Sequence, residues 1–153
     1  MIITRADVET AIRLADAYFG LRSLPDKSAY YEYQEYVDEA SRENAYVPAY
    51  PTVRSKWLAE DPNRLALHFF LMGLSGSELD ELIALMHLGR GDFPYSPAEW
   101  DARLKSYPWQ YLEGRVIYLM SNAFLAPYLQ EGLNRLSAMD DEGRRTNGST
   151  GSP

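Results

Sequence analysis

Four side chains around one turn have the types and spacing to act on a ligand: His87, Arg90 and Asp92 within LMHLGRGDF, and Arg115 beyond it. His87 could serve as a general base if a cleft opens there, with Asp80 two turns back and Asp92 past the turn as acidic partners. Arg90 would be an anion clamp with Arg115 as its second arm, because the guanidinium fork matches a carboxylate or phosphate. A structural account competes for each. His87 suits the negative end of a helix as a solvated side chain, Arg90 can reach carbonyls at that helix end, and Asp92 can support the loop that follows.

Other chemistries fail on spacing. The helix–glycine turn–helix outline resembles a calcium-binding EF-hand, but counting back from Glu99 as the closing ligand puts Leu88 and Arg90 where carboxylates belong. His68 and His87 are the only histidines and there is no cysteine, so neither a histidine-rich nor a zinc–thiolate metal site is expected. His68, on an apolar helix, reads as a satisfied core residue. Arg90-Gly91-Asp92 spells an adhesion tripeptide, a coincidence in a chain whose start, MIITRADVE, lacks the pattern of a secretion signal. No Ser–His–acid spacing, phosphate loop or dinucleotide glycine pattern occurs. No catalytic residue, cofactor or metal is expected.

The elements that must hold the four residues are legible in their caps. Ser75 with Glu78 is a capping box, and Leu74 with Leu79 a hydrophobic staple; Ser96 with Glu99 repeats the box, with Pro97 at the first helical position and Tyr95 facing Trp100. Each cap is worth ~1 kcal/mol against alanine. Leu79, Leu82, Ile83 and Met86, widened by Leu85 and Leu88, predict a buried helix ended by Gly89 in the left-handed conformation. The second helix, carrying Trp100, Leu104 and Tyr107, stops at Pro108.

Elsewhere the spacing predicts a helix over 4–23 capped by Thr4, with Val8, Ile12, Ala15 and Phe19 inward and Glu9–Arg13 paired. A tyrosine-rich acidic helix follows over 26–43, then a short one near 52–59. Asp61-Pro62 starts another, with Leu65, His68, Phe69 and Met72 on its buried side. Residues 109–120 resume helical spacing, with Gly114 marking a close helix crossing. A last helix lines up Leu125, Leu129, Leu133 and Leu136, bent by Pro127 in its second turn. Residues 138–153 read as a disordered polar tail.

The chain has 153 residues, 46% hydrophobic, and a net charge of −7. That is one domain with a real core. Clustered Lys and Arg are missing, which disfavours nucleic acid, and no apolar run approaches the ~20 residues of a membrane span. A cytoplasmic protein is expected. The acidity concentrates in 26–43, where Tyr31, Glu32, Glu35 and Glu39 are candidates for a partner surface.

The residues Leu88-Gly89-Arg90-Gly91-Asp92-Phe93, Glu99-Trp100, Gly114-Arg115, and Tyr128-Leu129 with Glu131-Gly132-Leu133 follow one another in an order that resembles the bacterial family called domain of unknown function 3775. The likeness spans about residues 65–136. It implies a helical fold and adds no mechanism, since the family has no assigned activity.

The reading is therefore an all-α, compact single-domain bundle of about six or seven helices over 1–137. N-terminal helices (1–60) pack across a family-like core (61–137). The expected function is a non-catalytic protein–protein interaction or regulatory module, with an unknown protein partner or a homodimer. The alternative is a small-ligand (anion) binder or enzyme with a pocket at the Gly89–Asp92 turn.

Overall fold

The computed structural model describes residues 1–20, 51–108 and 111–150; of residues 51–53 and 139–150 it describes the backbone. The acidic 26–43 segment, with Tyr31, Glu32, Glu35 and Glu39, lies outside the described residues. Seven helices and no strand are found among those described: α1 (Arg5–Phe19), α2 (Pro51–Ala59), α3 (Pro62–Met72), α4 (Gly76–Arg90), α5 (Pro97–Ser106), α6 (Leu112–Met120) and α7 (Leu125–Thr150). The all-α bundle expected from helical periodicity is what forms.

The helix starts follow their local chemistry. Thr4 accepts the Asp7 N–H, and Asp61 accepts from Asn63 and Arg64 with Pro62 at the first position. Ser75 accepts the Glu78 N–H at 3.1 Å while Glu78 takes the Ser75 N–H at 3.0 Å, a complete capping box. Ser96 accepts the Glu99 N–H at 3.1 Å, and Tyr95 meets Trp100 edge to face at 6.2 Å. In α1, Glu9 pairs with Arg5 rather than Arg13, the same one-turn spacing taken in the other direction.

α4 is the axis of the bundle, packed against α5, α6 and α7; α1 lies across α7 and α3, and α2 folds back on α3. From Leu79 to Gly89 every α4 residue except Asp80 is buried. The α4–α7 contact is close enough to need two glycines. A Cβ on Gly89 would fall inside the Tyr128 carbonyl oxygen and 2.8 Å from the Gly132 nitrogen, and one on Gly132 would strike the Leu85 carbonyl. Gly89 therefore lies inside α4 and does not end it, and a close crossing sits at this pair.

The terminator is Gly91, at φ 89°. Its N–H donates to Leu88 O and the Asp92 N–H to His87 O, the paired bonds of a Schellman motif. Pro127 also differs from expectation. Because α7 begins at Leu125, the proline falls in the first turn, where its missing N–H costs no helical bond. The line Leu125, Leu129 and Leu133 is buried, with Leu136 packed beside it. The α7 backbone continues as helix through the polar stretch read as a tail, as far as Thr150.

α3 turns a different face inward from the one its spacing suggested. Leu67 and Leu71 are fully buried, while Phe69 is 66% and Met72 36% exposed. The helix is apolar nearly all round, so periodicity alone cannot choose its buried side.

Candidate functional site

The turn after α4 brings together His87, Arg90 and Asp92, and excludes Arg115. His87 stands on the last full turn of α4, 8% exposed. Both ring nitrogens are engaged: Nδ1 lies 2.9 Å from the Tyr107 hydroxyl and Nε2 2.7 Å from that of Tyr118. Both tyrosine rings meet the imidazole edge to face, at 5.6 and 5.8 Å. A neutral imidazole has one donor and one acceptor nitrogen, so one tyrosine accepts and the other donates. Burial, reinforced by the Arg90 charge, lowers the His87 pKa to about 4. The expectation of a solvated helix-end histidine is corrected: this one is sealed, neutral and fully bonded.

Local sequence explains how the tyrosines arrive. Tyr107 precedes Pro108, which forces it out of helical geometry to an extended backbone at the end of α5 (φ −74°, ψ 129°). Tyr118 lies on α6, two residues after the buried Val116 and one before the buried Leu119. Burial raises the Tyr107 hydroxyl well above its ordinary value, so it stays protonated as a hydrogen-bonding group.

Arg90 and Asp92 hold each other. Arg90 Nε donates to both Asp92 oxygens at 3.0 and 3.1 Å, and Nη2 to Oδ2 at 2.6 Å. Burial alone would raise the Asp92 carboxyl; the Arg90 guanidinium overrides that and holds it below its usual range. The same bond raises Arg90. Arg90 does not take the helix-end carbonyls. Arg135 of α7 does, donating from Nη1 to Leu88 O at 2.8 Å.

Arg115 faces the opposite end of α4. It donates to Asp80 from Nε at 2.8 Å and from Nη2 at 3.4 Å, and its guanidinium lies over Gly76 in the first helical turn. The two-armed clamp of Arg90 and Arg115 is therefore not assembled. Asp80, expected as a partner of His87, is bound to Arg115 instead. The charged group nearest in kind to a second arm is Arg103, stacked over Phe93 at 4.8 Å.

Sequence reasoning missed Glu81. It is a carboxylate only 3% exposed, and its Oε1 accepts the N–H groups of Ile2 and Ile3 at 2.7 and 2.8 Å. Those two bonds fasten the chain start to the middle of α4. Nothing within a few residues of Glu81 signals this, since both donors lie about eighty positions away.

Of two clefts formed by described residues, neither is lined by His87, Arg90 or Asp92. One of about 550 Å³ lies between Ile2, Asp80, Glu81 and Trp100, and one of about 420 Å³ between Ile12 and Arg13 of α1 and Pro127 and Gln130 of α7. Among the described residues no group of three His, Asp or Glu is placed to hold a metal ion. No helix there is long and apolar enough to cross a membrane.

No curated protein and no solved structure matches the chain. Residues 64–137, from α3 through the described side chains of α7, match the family model described as "Protein of unknown function (DUF3775)", which bears out the resemblance read from the glycine turn and its companions.

Proposed function

We propose that this acidic helical protein is a non-catalytic module for protein–protein interaction or regulation, acting in the cytoplasm through a protein partner or a second copy of itself. The observation that carries the reading is the closure of the polar cluster. Both nitrogens of His87 are held by Tyr107 and Tyr118, Arg90 is held by Asp92, and Arg115 by Asp80. A general base must reach the proton it removes within hydrogen-bond distance or through one water. A histidine with both nitrogens already bonded inside the fold is poorly placed for that.

The other reading, an anion-binding pocket or active site at the Gly89–Asp92 turn, loses its second arm once Arg115 sits with Asp80. The Asp92 carboxylate also occupies the fork of Arg90 that an anion would need.

Affinity purification from the native cell tests the choice. Wild-type chain is compared with the charge reversal of Glu32, Glu35 and Glu39 and with His87→Phe. The module reading expects a reproducible partner set that His87→Phe leaves intact. A chain that captures nothing specific, and whose cellular role is lost with His87→Phe at unchanged stability, would contradict it. Unchanged capture after charge reversal removes the acidic segment as the docking face.

A further inference from the structure

We propose that Arg103 and Tyr107, one helical turn apart at the end of α5, form a binding site for a single carboxylate. The site goes beyond the interaction-module reading and stands without it. Arg103 lies over the Phe93 ring at 4.8 Å, a contact that uses the face of the guanidinium and leaves its N–H edge open. Among the described residues no hydrogen bond or ion pair holds that edge, and Nε, which water does not reach, has no acceptor. Asp92 lies within range of the Arg103 charge, yet gives both oxygens to Arg90. Glu99, one turn earlier on α5, does not pair with Arg103 either. Arg103 complements the negative end of α5, which accounts for its charge and not for its unspent donors.

The second donor follows from the hydrogen bonds around His87. Arg90 donates to the Tyr118 hydroxyl as well as to Asp92, and a guanidinium can only donate. The Tyr118 oxygen, already accepting from a cation, turns its own proton to His87 Nε2 at 2.7 Å. Nδ1 of the neutral ring therefore carries the imidazole proton and donates to the Tyr107 oxygen at 2.9 Å. The opposite tautomer would aim two donors at Tyr118 and strand its proton inside the fold. Tyr107 thus accepts within the cluster and keeps its own proton, for which no described residue supplies an acceptor. The Arg103 charge acts on Tyr107, and their i, i+4 spacing sets the two side chains side by side. Both are part-exposed, so a small ion reaches them.

Charge and donor count select the ligand. Arg90 and Asp92 cancel, which leaves the single charge of Arg103 and one neutral O–H. A carboxylate answers with one negative charge and two acceptor oxygens. A phosphate dianion would bring a second charge toward Asp92 and Glu99. The carboxylate belongs either to a small acid or to a side chain of another protein.

The test follows the Arg103 Nε–H and Tyr107 ring signals by NMR in the full chain. Sodium acetate should shift both along a saturating curve, and phosphate or chloride at equal ionic strength should shift them less. A titration to about 100 mM nearly fills a site with a Kd of about 10 mM. Arg103→Gln should abolish saturation at Tyr107, and Tyr107→Phe should weaken acetate about tenfold, as for a lost bond to a charged group. Either variant serves if the other alters folding. A blocked peptide with one glutamate, set against its glutamine counterpart, identifies the source. Binding at least about tenfold tighter than acetate assigns a protein carboxylate, and equal or weaker binding assigns a small acid. No saturation with acetate or the glutamate peptide overturns the inference, as does saturation that survives both variants. A His87 proton found on Nε2 by ring nitrogen shifts also overturns it, since Tyr107 would then spend its own proton on Nδ1.

Discussion

The α4–α7 crossing and the α2–α3 hairpin both carry large apolar side chains and place them in opposite ways. At the crossing, Gly89 and Gly132 let two backbones touch, and Leu82, Leu85 and Leu129 are fully buried around them. On the hairpin, only one side of α3 is buried, and Phe69 stands in water. Hydrophobicity alone does not distinguish the two. The room available to a side chain does: none at the crossing, unlimited on the outward face of α3. Stability should therefore concentrate at the first region.

The largest effect should come from filling the crossing. Gly132→Ala or Gly89→Ala puts a methyl into a carbonyl of the facing helix, where no flexible side chain can yield. Overpacking costs typically ~1–3 kcal/mol and more when backbones must separate. Urea unfolding should show a loss above about 3 kcal/mol, or no folded protein. A mild change would mean that the helices stand farther apart in solution.

Next comes the buried carboxylate. Glu81→Ala strips the acceptor from the Ile2 and Ile3 N–H groups, one of them buried. A loss of about 1–3 kcal/mol is expected for donors left unpaired. Hydrogen exchange at those two amides should accelerate before the core does.

Acid sharpens the comparison at the sealed histidine. The folded pKa of His87 is about 4, against 6.5 for an unconstrained imidazole. Between those values the unfolded chain binds more protons, so the stabilisation is whole above about pH 6.5 and is lost as pH falls toward 4. The difference in stability between wild type and His87→Phe should shrink over that window by on the order of 2 kcal/mol. A flat difference would mean that the ring is solvated.

The smallest effect on stability should be Phe69→Ala, within about 0.5 kcal/mol, because the ring removes little surface from water. Equal melting temperatures would separate the hairpin from the core. A large destabilisation would place Phe69 inside and erase the contrast.

How far these features could be read from sequence depends on how far apart the interacting atoms are along the chain. Thr4, Asp61, Ser75 and Ser96 act on N–H groups two or three residues away, and all four cap as their types predict. Burial direction was legible where polar residues mark the outer face, as in α1 and α7. It failed on α3, where Leu65, Leu67, Phe69, Phe70, Leu71 and Met72 leave too few polar positions to mark it. Gly89 and Gly91 show the limit from another side. A glycine that ends a helix and one that admits a neighbouring backbone are identical in sequence, and the terminator turned out to be the second of them.

The candidate site was less legible still. His87, Arg90 and Asp92 are near in sequence and gather at one turn. The groups that decide their chemistry, Tyr107 and Tyr118, lie 20 and 31 positions from His87. Asp80 and Arg115 are 35 apart. Such pairings are set by how α5 and α6 settle against α4, and periodicity within one helix carries no record of them.

The most direct measurement is a proton NMR titration of the His87 imidazole in the folded chain. A sealed, doubly bonded ring predicts a neutral side chain down to a midpoint of about 4, with a slowly exchanging ring N–H. A midpoint near 6.5 with rapid exchange would mean that the ring is open to water and that the turn after α4 can still serve as a reactive site.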